Sequence, residues 1–114
     1  MMKKANDDLL FLDEDNQLEE VRELKWLPWI GKEYFNTEHR LLIVGESHYL
    51  TGKEKNQLEA EQPDFTRNVV QTFCINNKKP QPTFDNLARC MFGNQKMTVD
   101  ERADKWKYLA FYNF

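Results

Sequence analysis

Two runs of consecutive apolar residues dominate the hydrophobic pattern of this chain. The first covers residues 41–44, Leu-Leu-Ile-Val, and stops at Gly45. It does not alternate with polar residues, and such a run is typical of a strand covered on both faces, as in a parallel sheet. The second begins at about Leu109, is rich in aromatic residues and predicts another strand. A right-handed crossover would make the two strands parallel.

The residues before the first strand carry a weaker pattern. Residues 1–13 are predicted to be loose. Asp13 or Asp15 can cap a short helix that runs to about Leu24. Pro28 ends any helix, and the tryptophans near it are expected to anchor this loop on the body of the protein.

Between the two strands, the apolar spacing predicts three helices. The first opens at about residue 63, and the second is capped by Thr83. Thr98 and Glu101 have the spacing of a capping box, which predicts the start of the third. The polar segment 50–62 is predicted to be a loop.

This order of elements predicts an α/β fold with a small, partly parallel sheet and flanking helices. Residues 1–24 are expected to form an acidic N-terminal arm and helix. Residues 25–114 are expected to form a single α/β domain that is incomplete at its C-terminus, because two strands make a poor sheet. An exposed apolar strand at the end of the chain would also favour self-association through a sheet edge.

Composition places the chain among single, soluble domains. It has 114 residues, of which 40% are hydrophobic and 13% aromatic. No apolar run resembles a signal peptide or a membrane span, so a cytoplasmic protein without a membrane partner is expected. Cys74 and Cys90 lack the spacing of a metal knuckle and are interpreted as buried free thiols of a reducing compartment, with a disulfide between them as the alternative.

Charge is distributed unevenly along the chain. The net charge is -3, yet residues 1–24 hold eight acids against three bases, and the other residues hold 13 bases and 11 acids. This balance does not suggest strong non-specific binding of nucleic acid. The acids of segment 7–23 are interpreted either as a solvated face or as a surface that contacts a partner protein, in the manner of a nucleic-acid mimic.

The best candidate for chemistry is the turn that follows the first strand, Gly45-Glu46-Ser47-His48-Tyr49. Ligands of open α/β sheets lie beyond the carboxyl ends of the strands. Glu46 and His48 could act as a general base and its partner. The alternatives are a turn whose polar groups cap backbone amides, a serine hydrolase, and a metal site that would add His39. Asn113, at the end of the second strand, would face the same cleft and could read the edge of a planar base.

Residues 41–49 resemble the first motif of the uracil-DNA glycosylase superfamily, in which a strand precedes a Gly-Gln-Asp-Pro-Tyr or Gly-Glu-Ala-Pro-Gly type of turn. Residues 109–113, Leu-Ala-Phe-Tyr-Asn, resemble the apolar strand of that family that ends in the Asn that reads uracil. The order and rough separation of the two motifs also agree. The resemblance covers about half of a normal glycosylase domain.

The resemblance implies a role for each matching residue. Glu46 would position or activate water, Tyr49 would help wall the pocket, and Asn113 would bond the flipped base, with Gly45 and Ser47 lining the site. It implies DNA as a partner and neither metal nor cofactor. The His-containing third motif of the family has no counterpart here, which predicts an inactive protein unless the chain is a fragment of a longer one.

Two other functions are carried as alternatives. One is a non-catalytic interaction or inhibitor protein of viral or mobile-element type that uses acidic residues 7–23. The other is a hydrolase that uses Glu46 and His48, since a Gly-Glu-x-His turn also resembles the erythromycin-esterase-like hydrolases.

Overall fold

The computed structural model describes residues 2–46, 58–77 and 81–113, which form an α/β domain with a small mixed sheet. Its strands are β1 (Trp29–Ile30), β2 (Leu42–Gly45) and β3 (Ala110–Asn113), in the order β1-β3-β2. The pair β2–β3 is parallel, which confirms the predicted arrangement, and β1 is antiparallel to β3. The sequence pattern missed β1, because two residues are too few to show a period.

The positions of the two predicted strands in the sheet were wrong. The C-terminal strand β3 is central, and all four of its residues are buried. In the described part of the chain, β2 lies at an edge, where Leu42 and Val44 are 52% and 54% exposed. An uninterrupted apolar run therefore does not mean burial on both faces here.

Helices pack around this sheet. They are α1 (Asp15–Glu19), α2 (Phe65–Val69), α3 (Pro82–Phe92) and α4 (Val99–Trp106), with short 3-10 turns at Asp7–Leu9 and Tyr34–Asn36. The capping box of Thr98 and Glu101 is present as predicted, with bonds of 3.1 and 3.3 Å. The first helix ends at Glu19 rather than near Leu24.

The segment that follows α2 is unusual. Helix α2 passes without a break into a π-helical stretch, Val70–Asn76, and ends at Asn77 with a φ of 52°. Arg102 of α4 donates through Nε to the carbonyl of Ile75 at 2.5 Å. A side chain of α4 therefore satisfies a carbonyl at the end of this stretch, where a helix normally leaves such groups without an internal partner.

The core lies between the sheet and the helices. Trp29 is fully buried, and its indole N–H donates to the carbonyl of Trp106 at 3.0 Å, with the two rings edge to face. Gly31 lies so close to the end of α4 that a Cβ there would be 2.5 Å from the Trp106 oxygen and closer still to the carbonyl of Lys107. A glycine is thus required where the end of β1 crosses the end of α4.

The N-terminal residues are held against the body, contrary to the expectation of a loose segment. Leu9 and Leu10 are buried in the core. The backbone N–H of Lys3 donates to Thr72 Oγ1 at 2.7 Å, and that of Ala5 donates to Asn68 Oδ1 at 2.8 Å. These side chains sit on the α2 and π-helical stretch, so polar residues of that helix hold the start of the chain.

The cysteines agree with the prediction in part. Both are free thiols, and Cys74 is buried, but Cys90 is exposed on α3. Burial, with a smaller contribution from the charge of Asp85, holds the pKa of Cys74 far above its usual range. No helix in the described residues is long and apolar enough to span a membrane.

Candidate functional site

The carboxyl ends of β2 and β3 bring together two of the predicted site residues. Gly45 is the register partner of Asn113 in the parallel ladder, although they are far apart in sequence. Neighbouring strands lie about 5 Å apart, so the two residues are direct neighbours. The sequence analysis expected Asn113 to lie beside the end of the first strand, and Gly45, the last residue of that strand, is indeed its neighbour.

The contact between these two residues explains the glycine. A Cβ placed on Gly45 would collide with Oδ1 of Asn113 and would lie 2.8 Å from its Cγ. A special backbone conformation is not the reason for this glycine, since among the described residues Gly93 is the glycine with positive φ. The absence of a side chain at Gly45 leaves room for the Asn113 amide.

Asn113 is enclosed on the inner face of the sheet. It is 6% exposed, and it shares its face of β3 with Phe111, which is part of the core. Residues of α2 pack on β3. A buried amide held in place by its strand and by the surface of Gly45 is pre-organised, because little rotamer freedom is left to lose when a ligand binds.

Glu46 is the residue directly after β2, and it is exposed. It thus lies one position past the Gly45–Asn113 pair, at the same end of the sheet. His48, together with Ser47 and Tyr49, lies outside the described residues.

The described residues contain no group of three or more His, Cys, Asp or Glu side chains placed to hold an ion, and His48 of the metal alternative lies outside them. His39, its third proposed ligand, is exposed, and its backbone carbonyl accepts from the Thr37 hydroxyl at 3.3 Å.

A cavity of about 350 Å³ lies elsewhere, between the N-terminal segment, the π-helical stretch and α4. Its lining includes Asn6, Gln71, Ile75 and Asp104, and none of the predicted site residues. Gln71 is engaged there, because its Oε1 accepts from the Asn6 backbone at 3.2 Å and its amide donates to Asn76 Oδ1 at 2.5 Å.

The sequence analysis did not single out the buried polar residues of α2. Arg67 is 4% exposed, and it makes two bonds to the Asp15 carboxylate, at 2.7 and 2.8 Å, and one to the Pro28 carbonyl at 2.9 Å. No spacing rule distinguishes Arg67 in the sequence, because its helical neighbours Asp64 and Gln71 are polar as well. Asp15, one of the eight N-terminal acids, is therefore part of an internal ion pair.

The other seven acids of segment 7–23 are exposed: Asp7, Asp8, Asp13, Glu14, Glu19, Glu20 and Glu23. They lie on a backbone that Leu9 and Leu10 anchor in the core. We call these seven residues the acidic surface. It is a fixed feature of the domain rather than a free tail.

Comparison of the chain with protein-family models, with curated proteins and with solved structures gave no match.

Proposed function

We propose that the carboxyl ends of β2 and β3 form part of a base-reading site of the uracil-DNA glycosylase type, in which Asn113 recognises a flipped base and Glu46 positions water. The observation that supports it most is the register pair Gly45–Asn113. It joins the two motifs that carry the resemblance at the end of the sheet where open α/β folds bind ligands.

The chemistry of Asn113 suits this role. A carboxamide offers two donors and an acceptor, so it can pair with the N–H and C=O groups on the edge of uracil. Its burial strengthens this selectivity, because a base that mismatches it leaves a polar group without a partner in a poorly solvated place. Glu46 follows β2 at the same end and is exposed, which supports a role toward water rather than toward the base.

Binding of uracil in DNA tests the role of Asn113. Fluorescence anisotropy would compare single-stranded oligonucleotides with one uracil or one thymine at the same position. We expect tighter binding to uracil, and a loss of roughly 10- to 100-fold of that preference in Asn113→Asp, because the variant replaces the donor N–H₂ of a buried amide. Gly45→Ala, which displaces Asn113 without changing it, should reduce the preference too.

Base release tests the role of Glu46 separately. Glu46→Gln should keep the preference for uracil and lower any release of the base, whereas Glu38→Gln, an exposed control, should change neither. Equal affinity of the folded wild-type chain for uracil and thymine would refute the base-reading proposal. Base release without dependence on Glu46 would refute the role of that residue only.

The acidic surface supports a second candidate, a protein that binds a cationic partner. Its seven exposed carboxylates are held on an anchored backbone, which lowers the entropy cost of presenting them to a partner. Such a surface attracts a basic protein in the way that a phosphate backbone does.

A cationic DNA-binding domain, with duplex DNA as competitor, is a suitable probe for this candidate. We expect salt-dependent binding that is lost in the triple variant Glu19→Gln, Glu20→Gln and Glu23→Gln. The matched control neutralises three exposed acids elsewhere: Glu38→Gln, Glu61→Gln and Asp104→Asn. Equal loss in both triple variants would mean that net charge alone is recognised, and would rule out a specific acidic surface.

A further inference from the structure

The two edges of the sheet differ in their backbone pairing. At the β1 edge, the N-terminal segment adds a bridge between Leu10 and Gly31, and the N–H of Phe11 donates to the carbonyl of Ile30 at 2.9 Å. At the other edge, no strand within the described residues pairs with β2. An open edge strand is a template for pairing with another strand.

The exposed side chains of β2 and of the residue before it are apolar. Leu42 and Val44 are more than half exposed, and Leu41 is 48% exposed. Charges or prolines usually protect such an edge, and β2 contains neither. Charged residues flank the strand only at its two ends, as Arg40 and Glu46.

The ladder to β3 determines which peptide groups of β2 face outward. The N–H of Ala110 donates to the carbonyl of Leu41, and in a parallel ladder one strand bonds a given neighbour through alternate residues. The residues bonded to β3 are thus Leu41, Ile43 and Gly45. The N–H and C=O groups of Leu42 and Val44 point to the open edge.

These outward groups suit a second copy of the same strand. In antiparallel pairing, opposite residues exchange their hydrogen bonds, so Leu42 of one copy can pair with Val44 of the other, and the reverse. The two-fold axis then passes by Ile43. This register pairs both outward residues within the two strands, whereas the other registers that keep outward groups opposite one another pair either Leu42 with Leu42 or Val44 with Val44 and leave the second outward residue of β2 without a partner in the other strand.

This same register matches the charges. Counting outward from Ile43 and continuing the pairing past both ends of β2, Arg40 of one copy would lie opposite Glu46 of the other. Both residues are exposed, and the Arg40 guanidinium donates one hydrogen bond within its own chain, to the Phe35 carbonyl at 3.2 Å. The pattern Arg40-Leu42-Val44-Glu46 is therefore its own complement, basic and apolar on one half and apolar and acidic on the other. Opposite charges directly across two strands stabilise the pair, and like charges oppose it.

We propose that the chain forms a two-fold symmetric dimer through antiparallel pairing of β2, which joins the two sheets into one continuous sheet. The contact surface is the same on both copies, as a two-fold dimer requires. Because the strand is short, the dimer is expected to depend on protein concentration and to dissociate on dilution.

Charge reversal offers a sharp test. Sedimentation velocity of the wild-type chain from about 10 µM to about 1 mM should show a monomer–dimer equilibrium. Arg40→Glu places two carboxylates opposite each other, and Glu46→Arg places two guanidinium groups opposite each other, so each variant alone should be monomeric. The double variant Arg40→Glu with Glu46→Arg should dimerise again, and an equal mixture of the two single variants should form a heterodimer.

The controls separate this contact from general charge effects. Arg22→Glu and Glu20→Arg change exposed residues away from β2 and should leave the dimer intact. Val44→Lys changes an exposed residue of β2 and leaves Arg40 and Glu46 unchanged, and it should abolish the dimer. In the wild type, the amide N–H groups of Leu42 and Val44 should exchange with deuterium more slowly as concentration rises.

Three results would overturn the proposal. The first is a chain that stays monomeric at about 1 mM, the concentration at which even a weak contact is populated. The second is a dimer that persists in Arg40→Glu and in Val44→Lys, which would place the contact on another face. The third is protection of these amides at every concentration, which would mean that another segment of the same chain covers the edge. None of these results bears on uracil binding.

Discussion

The ion pair between Asp15 and Arg67 is expected to contribute strongly to the stability of this domain. The Arg67 side chain is 5% exposed and that of Asp15 is 23% exposed, and two hydrogen bonds of 2.7 and 2.8 Å join them. Asp15→Ala would leave a buried guanidinium with one remaining bond, to the Pro28 carbonyl. Removal of one partner from a fully buried pair costs about 3–5 kcal/mol.

Partial exposure of Asp15 reduces this figure. Water can reach the space that the carboxylate leaves and can solvate part of the guanidinium, so we expect a loss of about 2–3 kcal/mol. For a domain of this size, that corresponds to a fall in melting temperature of roughly 8–15 °C. The loss should persist at high salt, because solvent ions screen a buried pair poorly.

Urea denaturation followed by tryptophan fluorescence would measure this effect. Asp13→Ala is the matched control, since Asp13 is exposed and belongs to the same segment, and it should change the free energy of unfolding by less than about 0.5 kcal/mol. The double variant Asp15→Ala with Arg67→Met should recover part of the loss, because it removes the buried charge as well. Equal stability of Asp15→Ala and Asp13→Ala would refute the reasoning.

Four further predictions follow from close contacts and from burial. Gly31→Ala should destabilise the domain by about 3 kcal/mol or more in urea, because its Cβ would meet backbone atoms that cannot move aside. Gly45→Ala should cost less, about 1–2 kcal/mol, because a side chain, that of Asn113, is what it displaces; a greater loss than in Gly31→Ala would contradict this. A thiol reagent near pH 8 should label Cys90 rapidly and Cys74 only after unfolding, and rapid labelling of both would contradict the burial of Cys74. The raised pKa of Cys74 also predicts a dependence of stability on pH. The folded state keeps this thiol protonated, whereas the unfolded state releases its proton above the ordinary thiol pKa of about 8.5. The contribution is therefore fully present below that pH and declines as the pH rises further. Unfolding in urea between about pH 7 and 10 would measure it in Cys90→Ser, with Cys74→Ala in the same background as the variant that lacks the decline.

The sequence pattern was most informative where local hydrogen bonds and residue spacing determine the structure of a segment. The capping box at Thr98 follows from local hydrogen bonds and spacing, and it was predicted correctly. The start of α3 was located within two residues, but Thr83 is not its cap: the helix begins at Pro82, and the side chain of Gln81 accepts from the N–H of Thr83. The pairing of β2 with β3 also followed from general rules, because a crossover of helices leaves two strands parallel. For the same reason, Gly45 and Asn113 could be expected at one end of the sheet.

What the sequence could not reveal depends on contacts between distant segments. The apolar run of β2 has the same composition whether a strand is central or at an edge, and β3 became central only because Trp29 and Ile30 pair on its other side. The reason for Gly45 is likewise tertiary, since the space it leaves is filled by Asn113, a residue distant in the sequence.

The sequence by itself determined the class of the fold, the parallel strand pair and the end of the sheet that Gly45 and Asn113 share, because periodicity, caps and chain order are local or topological properties. Only the tertiary structure decided which acids are free. Asp15 is bonded to Arg67, and its neighbours in the acidic surface are exposed, although all of them look alike in the sequence. It also decided that β2 is the open edge of the described sheet. The charges that flank β2 can pair with those of a second copy only because the strand lies at an edge.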